Sequence, residues 1–412
     1  MTPEIKKRIG QIQHGTVPDG YKKTKAGVIP DRWSSCPIHA CLNILNHERK
    51  PISEDERKAI PGPYPYYGPT QVQGYIATYE SEGSAVLIGE DGDHFLKYKD
   101  REMTMYVDGR YTVNNHAHVL VGTDLCETKW FYYSYQHKSL FDAITRQGAG
   151  RYKLTKEALM KLPLQCPPLD EQRKIITILA IQDKIIELKQ KLIAEKQRQK
   201  KYLMQQLLTG KKRLPGFSME WKSIKIGGFI QEIDERTTCN NQFEILSVTK
   251  NGIVHQSAHF NKQIASEDNT GYKVLRNGNL AFSTMNLWMG SLDVLTICDV
   301  GIISPAYKVF EFNKNLITVD FAINYMKSAE MIWLYKTNSE QGASIVRRNL
   351  NLHALLSSRV SLPDIPEQVA IAQVLATADR ELDLLCQDIE LEKQKKTALM
   401  QLLLTGIVRV NV

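Results

Sequence analysis

One stretch of the chain occurs twice, and the rest has to be arranged around it. Glu171 to Arg213 aligns without a gap on Glu367 to Arg409, a constant offset of 196 residues. About 17 of about 43 aligned positions are identical, which makes internal repetition the first constraint on the fold. The ends agree best: Glu171-Gln172 falls on Glu367-Gln368, and Leu207-Leu208-Thr209-Gly210 on Leu403-Leu404-Thr405-Gly406.

Both copies read as long helices. In the second, Ile371, Leu375, Ala378, Leu382, Leu385, Ile389, Leu399 and Leu403 keep the alternating spacing of a heptad seam, interrupted by Glu392 and Lys396. The first keeps Ile175, Leu179, Ile186, Ile193, Leu203 and Leu207 but is interrupted by Gln182, Lys189, Lys196 and Lys200. Prolines precede each start (Pro167, Pro168; Pro363, Pro366), acids fill the first turn, and Gly210 and Gly406 stand where a left-handed cap ends a helix. About 40 residues at about 1.5 Å each make a rod of roughly 60 Å. Two copies of one seam pair most simply as an antiparallel coiled coil about a pseudo-two-fold axis. The alternative is that each helix covers only the core of its own domain.

At 412 residues the chain has room for two to three domains, and 42% hydrophobic with 24% charged residues describes an ordinary ordered protein. A net charge of +8 leans towards an anionic partner. The seven cysteines are scattered without a Cys-x-x-Cys pair and read as free thiols in a reducing cytoplasm. No apolar run reaches membrane-spanning length, and Met1 to Gln13 lacks the apolar core of a signal peptide. Catalytic signatures are missing. Gly210-Lys211 lacks the first glycine and the hydroxyl of a phosphate-binding loop, no Asn/Asp-Pro-Pro-Tyr/Phe methyltransferase motif occurs, and the ten histidines show no metal spacing. The expectation is a chain with no catalytic or metal-ligating residues, its chemistry supplied by partners.

In order, a globular segment (1–164) precedes the central helix (165–212), and a second globular segment (213–361) precedes the C-terminal helix (362–412). Each globular segment opens on a tryptophan, Trp33 or Trp221, and each reads as mixed α/β with short strands between Gly, Pro and Asp turns. Helices are expected at about Lys129–Thr145 and Val319–Thr337, each followed by a Gln-Gly-Ala element (Gln147, Gly148, Ala149; Gln341, Gly342, Ala343). The leader Met1 to Gly27 is expected to continue spatially where the C-terminus stops.

The Pro-x-x-Glu-Gln helix start, the Leu-Leu-Thr-Gly end, the tandem repeat and the tryptophan openings resemble the specificity subunits of type I restriction-modification systems, over essentially the whole chain. The resemblance implies a fold in which two target-recognition domains alternate with two long helices that serve as spacer and docking platform. It implies a non-catalytic subunit that binds double-stranded DNA at a bipartite, asymmetric site. It also implies two adenine methyltransferase (modification) subunits and restriction/translocase subunits as partners, with S-adenosylmethionine, ATP and Mg acting there and no cofactor in this chain. Two readings from other classes remain at this stage: a self-contained restriction or modification enzyme, and a coiled-coil scaffold that binds only protein.

Loops that mix aromatic, amide and basic side chains are the best candidates for DNA contact, because Asn and Gln pair with adenine, Arg with guanine, and Lys with phosphate. In the first globular segment these are Tyr66, Tyr67, Gly68, Lys97, Lys99, Arg110, Tyr111, Asn114, Asn115 and His116. The alternative is that the tyrosines are core and the asparagines close turns. In the second they are Thr249, Lys250, Asn251, Thr284, Asn286 and Trp288, the tryptophan being open to a packing role between Met285 and Met289. Arg151, Arg347 and Arg348 beside the Gln-Gly-Ala loops suit phosphate clamping. The charged helix middles (Lys196, Arg198, Lys200, Lys201; Lys393, Lys395, Lys396) face either DNA, a partner's acidic surface or solvent.

Overall fold

The computed structural model describes residues 2–147, 151–250, 252–259, 268–341 and 348–410. Gly148, Ala149, Gly150, Asn251, Gly342, Ala343 and Arg347 lie outside the described residues. The chain forms two compact units, Met1–Lys189 with Asp388–Val412, and Gln190–Gln387. The repeats are two helices of 39 residues, Leu169–Leu207 and Ile365–Leu403. Each unit therefore takes a globular domain, half of one helix and the complementary half of the other.

In the first unit two four-stranded sheets carry the domain. One is antiparallel throughout, ordered Leu42–Ile44, Ala117–Gly122, Ala85–Gly89, Thr104–Val107. Its central strands are buried on both faces (Ala85 to Ile88, Ala117 to Leu120), the pattern of a strand covered on both sides, with the buried His118 bonded to Asn46 and the Leu154 carbonyl. The other runs Val72–Ile76, Pro61–Tyr67, Arg110–Val113, Ser81–Glu82, with Pro61–Tyr67 parallel to Arg110–Val113. The helix Thr128–Tyr135 buries Trp130, Phe131, Tyr133 and Tyr135. It stops well short of Thr145, because the carbonyl of the buried Gln136 turns to accept from Met103 N–H (2.8 Å).

The second unit is built around an antiparallel sheet ordered Ile230–Ile233, Tyr307–Phe312, Leu280–Ser283, Leu292–Val294. The helix expected over Val319–Thr337 is two helices, Val319–Tyr325 and Ala329–Thr337. Ser328 interrupts it: its hydroxyl accepts from Met331 N–H and caps the second helix, a hydrogen bond that competes with helix continuation. In both units an antiparallel strand pair leads into a long helix: Ser34–Pro37 with Pro163–Cys166, and Lys222–Lys225 with Arg359–Leu362.

Both long helices end alike. Gly210 and Gly406 have φ of +67° and +68°, and the N–H groups of Lys212 and Val408 bond back to the carbonyls of Gln206 (3.1 Å) and Leu402 (3.0 Å). At Gly406 a Cβ would meet Pro30 at 2.6 Å and Trp33 at 3.1 Å, so the position requires glycine for space as well as for φ. The leader meets this end: Arg8 donates to the Ile407 carbonyl, and Tyr21 Oη donates to the Gly406 carbonyl at 2.7 Å.

Within each unit the helix halves run antiparallel. In the first, partner numbers fall as the first helix rises: Asp183–Lys396 (2.6 Å), Lys189–Glu392 (3.0 Å) and Lys189–Asp388 (2.6 Å). In the second, Lys196 pairs with Glu381 at 2.6 Å and Lys200 with Asp379. Of the seam interruptions, Gln182 and Lys189 meet Glu392, Gln182 Nε2 donating to Glu392 Oε2 at 2.6 Å, while Lys196, Lys200 and Lys396 meet other acids of the opposing helix.

Candidate nucleic-acid interface

The side chains at the helix starts are buried and hydrogen-bonded rather than exposed. Glu171 is fully buried, takes a bidentate pair from Arg409 (2.5 and 2.7 Å) and accepts from Trp33 Nε1 at 2.9 Å. In the second unit Glu367, 1% exposed, takes the same pair from Arg213 (2.5 and 2.6 Å) and accepts from Trp221 Nε1 at 3.0 Å. Each arginine also lies over its tryptophan ring at 5.7 Å. Gln172 accepts from Glu127 N–H and donates to the carbonyls of Leu125 and Pro167. Gln368 does the same with Thr318, Leu316 and Pro363. The Glu-Gln motif, the terminal Arg and the opening Trp were visible separately in the sequence; together they form one clasp per unit that fixes the domain to its helices.

With the frame held there, the residues expected at DNA from sequence range from buried to exposed. In the first unit Tyr66 and Tyr111 are corrected to core residues. Tyr66 is 1% exposed, its hydroxyl accepting from Ile52 N–H and donating to the Lys50 carbonyl. Tyr111 is buried edge-on to half-buried Tyr67 at 5.9 Å, and burial pushes its phenol up to about 12. Gly68 closes a turn, its N–H bonding to the Gln71 carbonyl. Asn114 is buried and also closes a turn: Oδ1 accepts from His116 N–H and Nδ2 donates to Gln73.

That turn presents Asn115 and His116 to solvent, with His116 Nδ1 3.0 Å from Asp91 Oδ2. The neighbouring hairpin Thr145–Gln147/Arg151–Lys153 is tied to the same place. Gly92 N–H bonds to the Tyr152 carbonyl, and Lys153 reaches Glu90 at 3.2 Å. Exposed Arg146, Arg151, Lys97, Asn115 and His116 consequently share one region. Arg146 and Lys153 were not singled out from sequence; only the fold brings them to Asn115. Lys99 is exposed just beyond. Arg110 is separate: it opens the strand whose far end leads to Asn114, pairs with Glu82 at 3.1 Å and lies over Tyr79.

In the second unit the loop Ser283–Gly290 and the strand Arg348–Leu350 meet through Arg348 N–H and the Met285 carbonyl (3.2 Å). Asn286 is half-buried and caps the short turn Leu287–Met289, with Leu287 buried beneath and Met285 and Met289 exposed. Arg348, expected from sequence to suit phosphate clamping, is held within the unit: Nε donates to Ser339 Oγ (2.9 Å), Nη2 to the Ser339 carbonyl (2.6 Å), and the guanidinium sits 5.9 Å over Trp288. Thr284 is half-buried in this loop. Thr249 bonds to the Gly252 carbonyl at a hairpin tip, with Lys250 exposed beside it. Ile253 N–H ties that hairpin to Asp293, on the strand that follows the loop.

Most of the basic residues of the helix middles, left open from sequence between DNA, a partner's acidic surface and solvent, are paired with acids in the structure. Lys196, Lys200 and Lys396 are spent on acids of the opposing helix, as described above, and Arg198, Lys393 and Lys395 lie within 3.6 Å of acids on their own helix.

Residues 30–197 match the family described as the type I restriction modification DNA specificity domain. The chain is 20% identical to the type I restriction enzyme MjaVIII specificity subunit of Methanocaldococcus jannaschii, with 95% of this chain and 97% of that one aligned. The chain is similar to type I specificity subunits. A putative specificity subunit of Haemophilus influenzae, S.HindORF215P, is 34% identical over 143 residues, 35% of each chain, so the match spans about a third of that relative. Among solved structures, the S subunit of a type I restriction-modification system from M. genitalium superposes with a TM-score of 0.53, covering 92% of this chain and 97% of that one at 14% identity. A chain from a study of type I complex assembly gives the same TM-score at 15% identity, covering 92% and 99%. These likenesses carry the fold of the specificity subunits, two mixed domains and paired long helices. Among the described residues no helix is long and apolar enough to cross a membrane.

Proposed function

We propose that the chain is the cytoplasmic DNA-recognition subunit of a type I restriction-modification complex and reads a bipartite, asymmetric duplex site, one part with each unit. Adenine methylation and ATP-dependent restriction belong to partner subunits, two for modification and others for translocation and cleavage, which bring S-adenosylmethionine, ATP and Mg. In the first unit Asn115, His116, Lys97, Lys99, Arg146 and Arg151 contact DNA; in the second Lys250, Thr284, Asn286 and the Met285–Met289 loop do so. Arg347 and Asn251 are retained as candidates from sequence. Base flipping by a methyltransferase needs DNA held in fixed register, and a rigid clasp at each domain is suited to holding it.

The observation that carries this reading is that one clasp of Glu, Arg and Trp occurs in both units while the sheets it holds differ in strand order and direction. The same frame holds two different surfaces, the arrangement an asymmetric site calls for. The test is a methylation and binding assay with the purified chain alone and with the two modification subunits added. Alone, the chain transfers no methyl group and hydrolyses no ATP; with them, adenine methylation appears at one bipartite sequence. Methyl transfer by the chain alone would overturn the reading.

A further inference from the structure

The polar interruptions of the two seams are not interchangeable. The repeat offset places Lys196 on Glu392, Lys189 on Leu385, Asp388 on Leu192 and Glu381 on Ile185. The seam cations Lys189 and Lys196 thus lie on the first helix, and the anions they meet, Glu381, Asp388 and Glu392, on the second. One pair is indifferent to this division: Asp183–Lys396 and Lys200–Asp379 are the same pair seen from each repeat, since Asp183 falls on Asp379 and Lys200 on Lys396.

The register within each unit fixes what other pairings would bring together. Were the first helix to meet the first helix of a second copy in this register, the place of Glu392 opposite Lys189 would be taken by Lys196. That like-charge contact would occur twice by symmetry. Were the second helix to meet its own counterpart, the place of Lys196 opposite Glu381 would be taken by Glu392, again twice. Gln182, now satisfied by Glu392, would face the lysine at 196 instead. Like charges at a partly buried helix contact oppose association, whereas polar seam positions that match specify partner and register.

We propose that this seam is a sorting device: it pairs a first long helix with a second long helix and rejects the pairing of two first helices or of two second helices from separate copies. The consequence is that two different globular domains are brought together, and two identical ones are not assembled from separate copies. The inference rests on the ion pairs alone and stands independently of the DNA reading.

Full-length charge variants test it. Lys189→Glu/Lys196→Glu puts carboxylates opposite Asp388, Glu392 and Glu381; Glu381→Lys/Asp388→Lys/Glu392→Lys puts ammonium groups opposite Lys189 and Lys196. Each should melt about 5 °C or more below the parent chain, and the five-fold combination should recover most of that loss. Refolded together in equal amounts, the first two variants should form a species of twice the single-chain mass by light scattering, since each then complements the other, while the parent chain refolds at single-chain mass. If one of them fails to fold alone, recovery by the combination still decides. Failure of the combination to recover, melting unchanged in both variants, or a mixture that stays at single-chain mass would each overturn the proposal.

Discussion

Arg409 and Glu171, 238 residues apart in the chain, close a bidentate ion pair at 2.5 and 2.7 Å, and the carboxylate is fully buried. Arg213 and Glu367 repeat it in the other unit. Hydrogen bonding to Glu171 and Glu367 raises the arginines above their ordinary value, so both are charged at any accessible pH. Removing one partner strands a buried charge, whereas replacing both with apolar residues does not. Arg409→Ala should therefore cost about 3–5 kcal/mol of unfolding free energy, and Glu171→Met/Arg409→Leu much less. Urea denaturation measures both; equal losses would show that packing, not charge, fixes the clasp.

Glu392 gives a pH signature. Hydrogen bonding from Gln182 first, and from Lys189 next, lowers its carboxyl from 4.5 to about 2. A carboxyl depressed on folding stabilises above its ordinary value, and that stabilisation disappears as pH falls through the folded value. Gln182→Leu should accordingly melt below the parent chain at pH 6, and the gap should close between pH 4.5 and 2. A gap independent of pH would assign the effect to packing at residue 182.

Under the proposed function some loop residues read bases, and the structure gives others a holding role. Asn286→Ala should relax discrimination at one base position by about 1–3 kcal/mol with the salt dependence unchanged. Arg348→Ala should instead lower stability by about 1–3 kcal/mol, because the clip to Ser339 is lost, and change the log-log salt slope by less than about one unit. Competition binding over a salt series distinguishes them. A full unit of slope lost at Arg348 would return it to the phosphates.

The frame was legible in the sequence because it is written twice: helix starts, glycine ends and the interrupted seams all align at one offset. What the interruptions were for was not legible, since Gln182 and Glu392 are 210 residues apart and only the register brings them together. The loops were legible by composition alone. Tyr66 and Asn115 look alike as surface candidates, and burial, a property of the whole domain, separates them. The single helix read over Val319–Thr337 failed for a local reason, the Ser328 cap.

The central claim is that each unit reads its own part of a bipartite site and that the long helices set the interval. The named seam pairs lie on either side of Gln190 in the first helix and of Gln387 in the second, so four residues inserted after each leave all of them intact. Such an insertion adds about 6 Å and roughly 40° of rotation, somewhat under two base pairs of B-DNA rise at about 3.4 Å each. Genome-wide mapping of adenine methylation, in cells carrying this chain with its modification partners, reads the outcome directly. The account predicts the same two half-site sequences with the unread spacer lengthened by one or two base pairs. An unchanged spacer, or altered bases in either half-site, would contradict it.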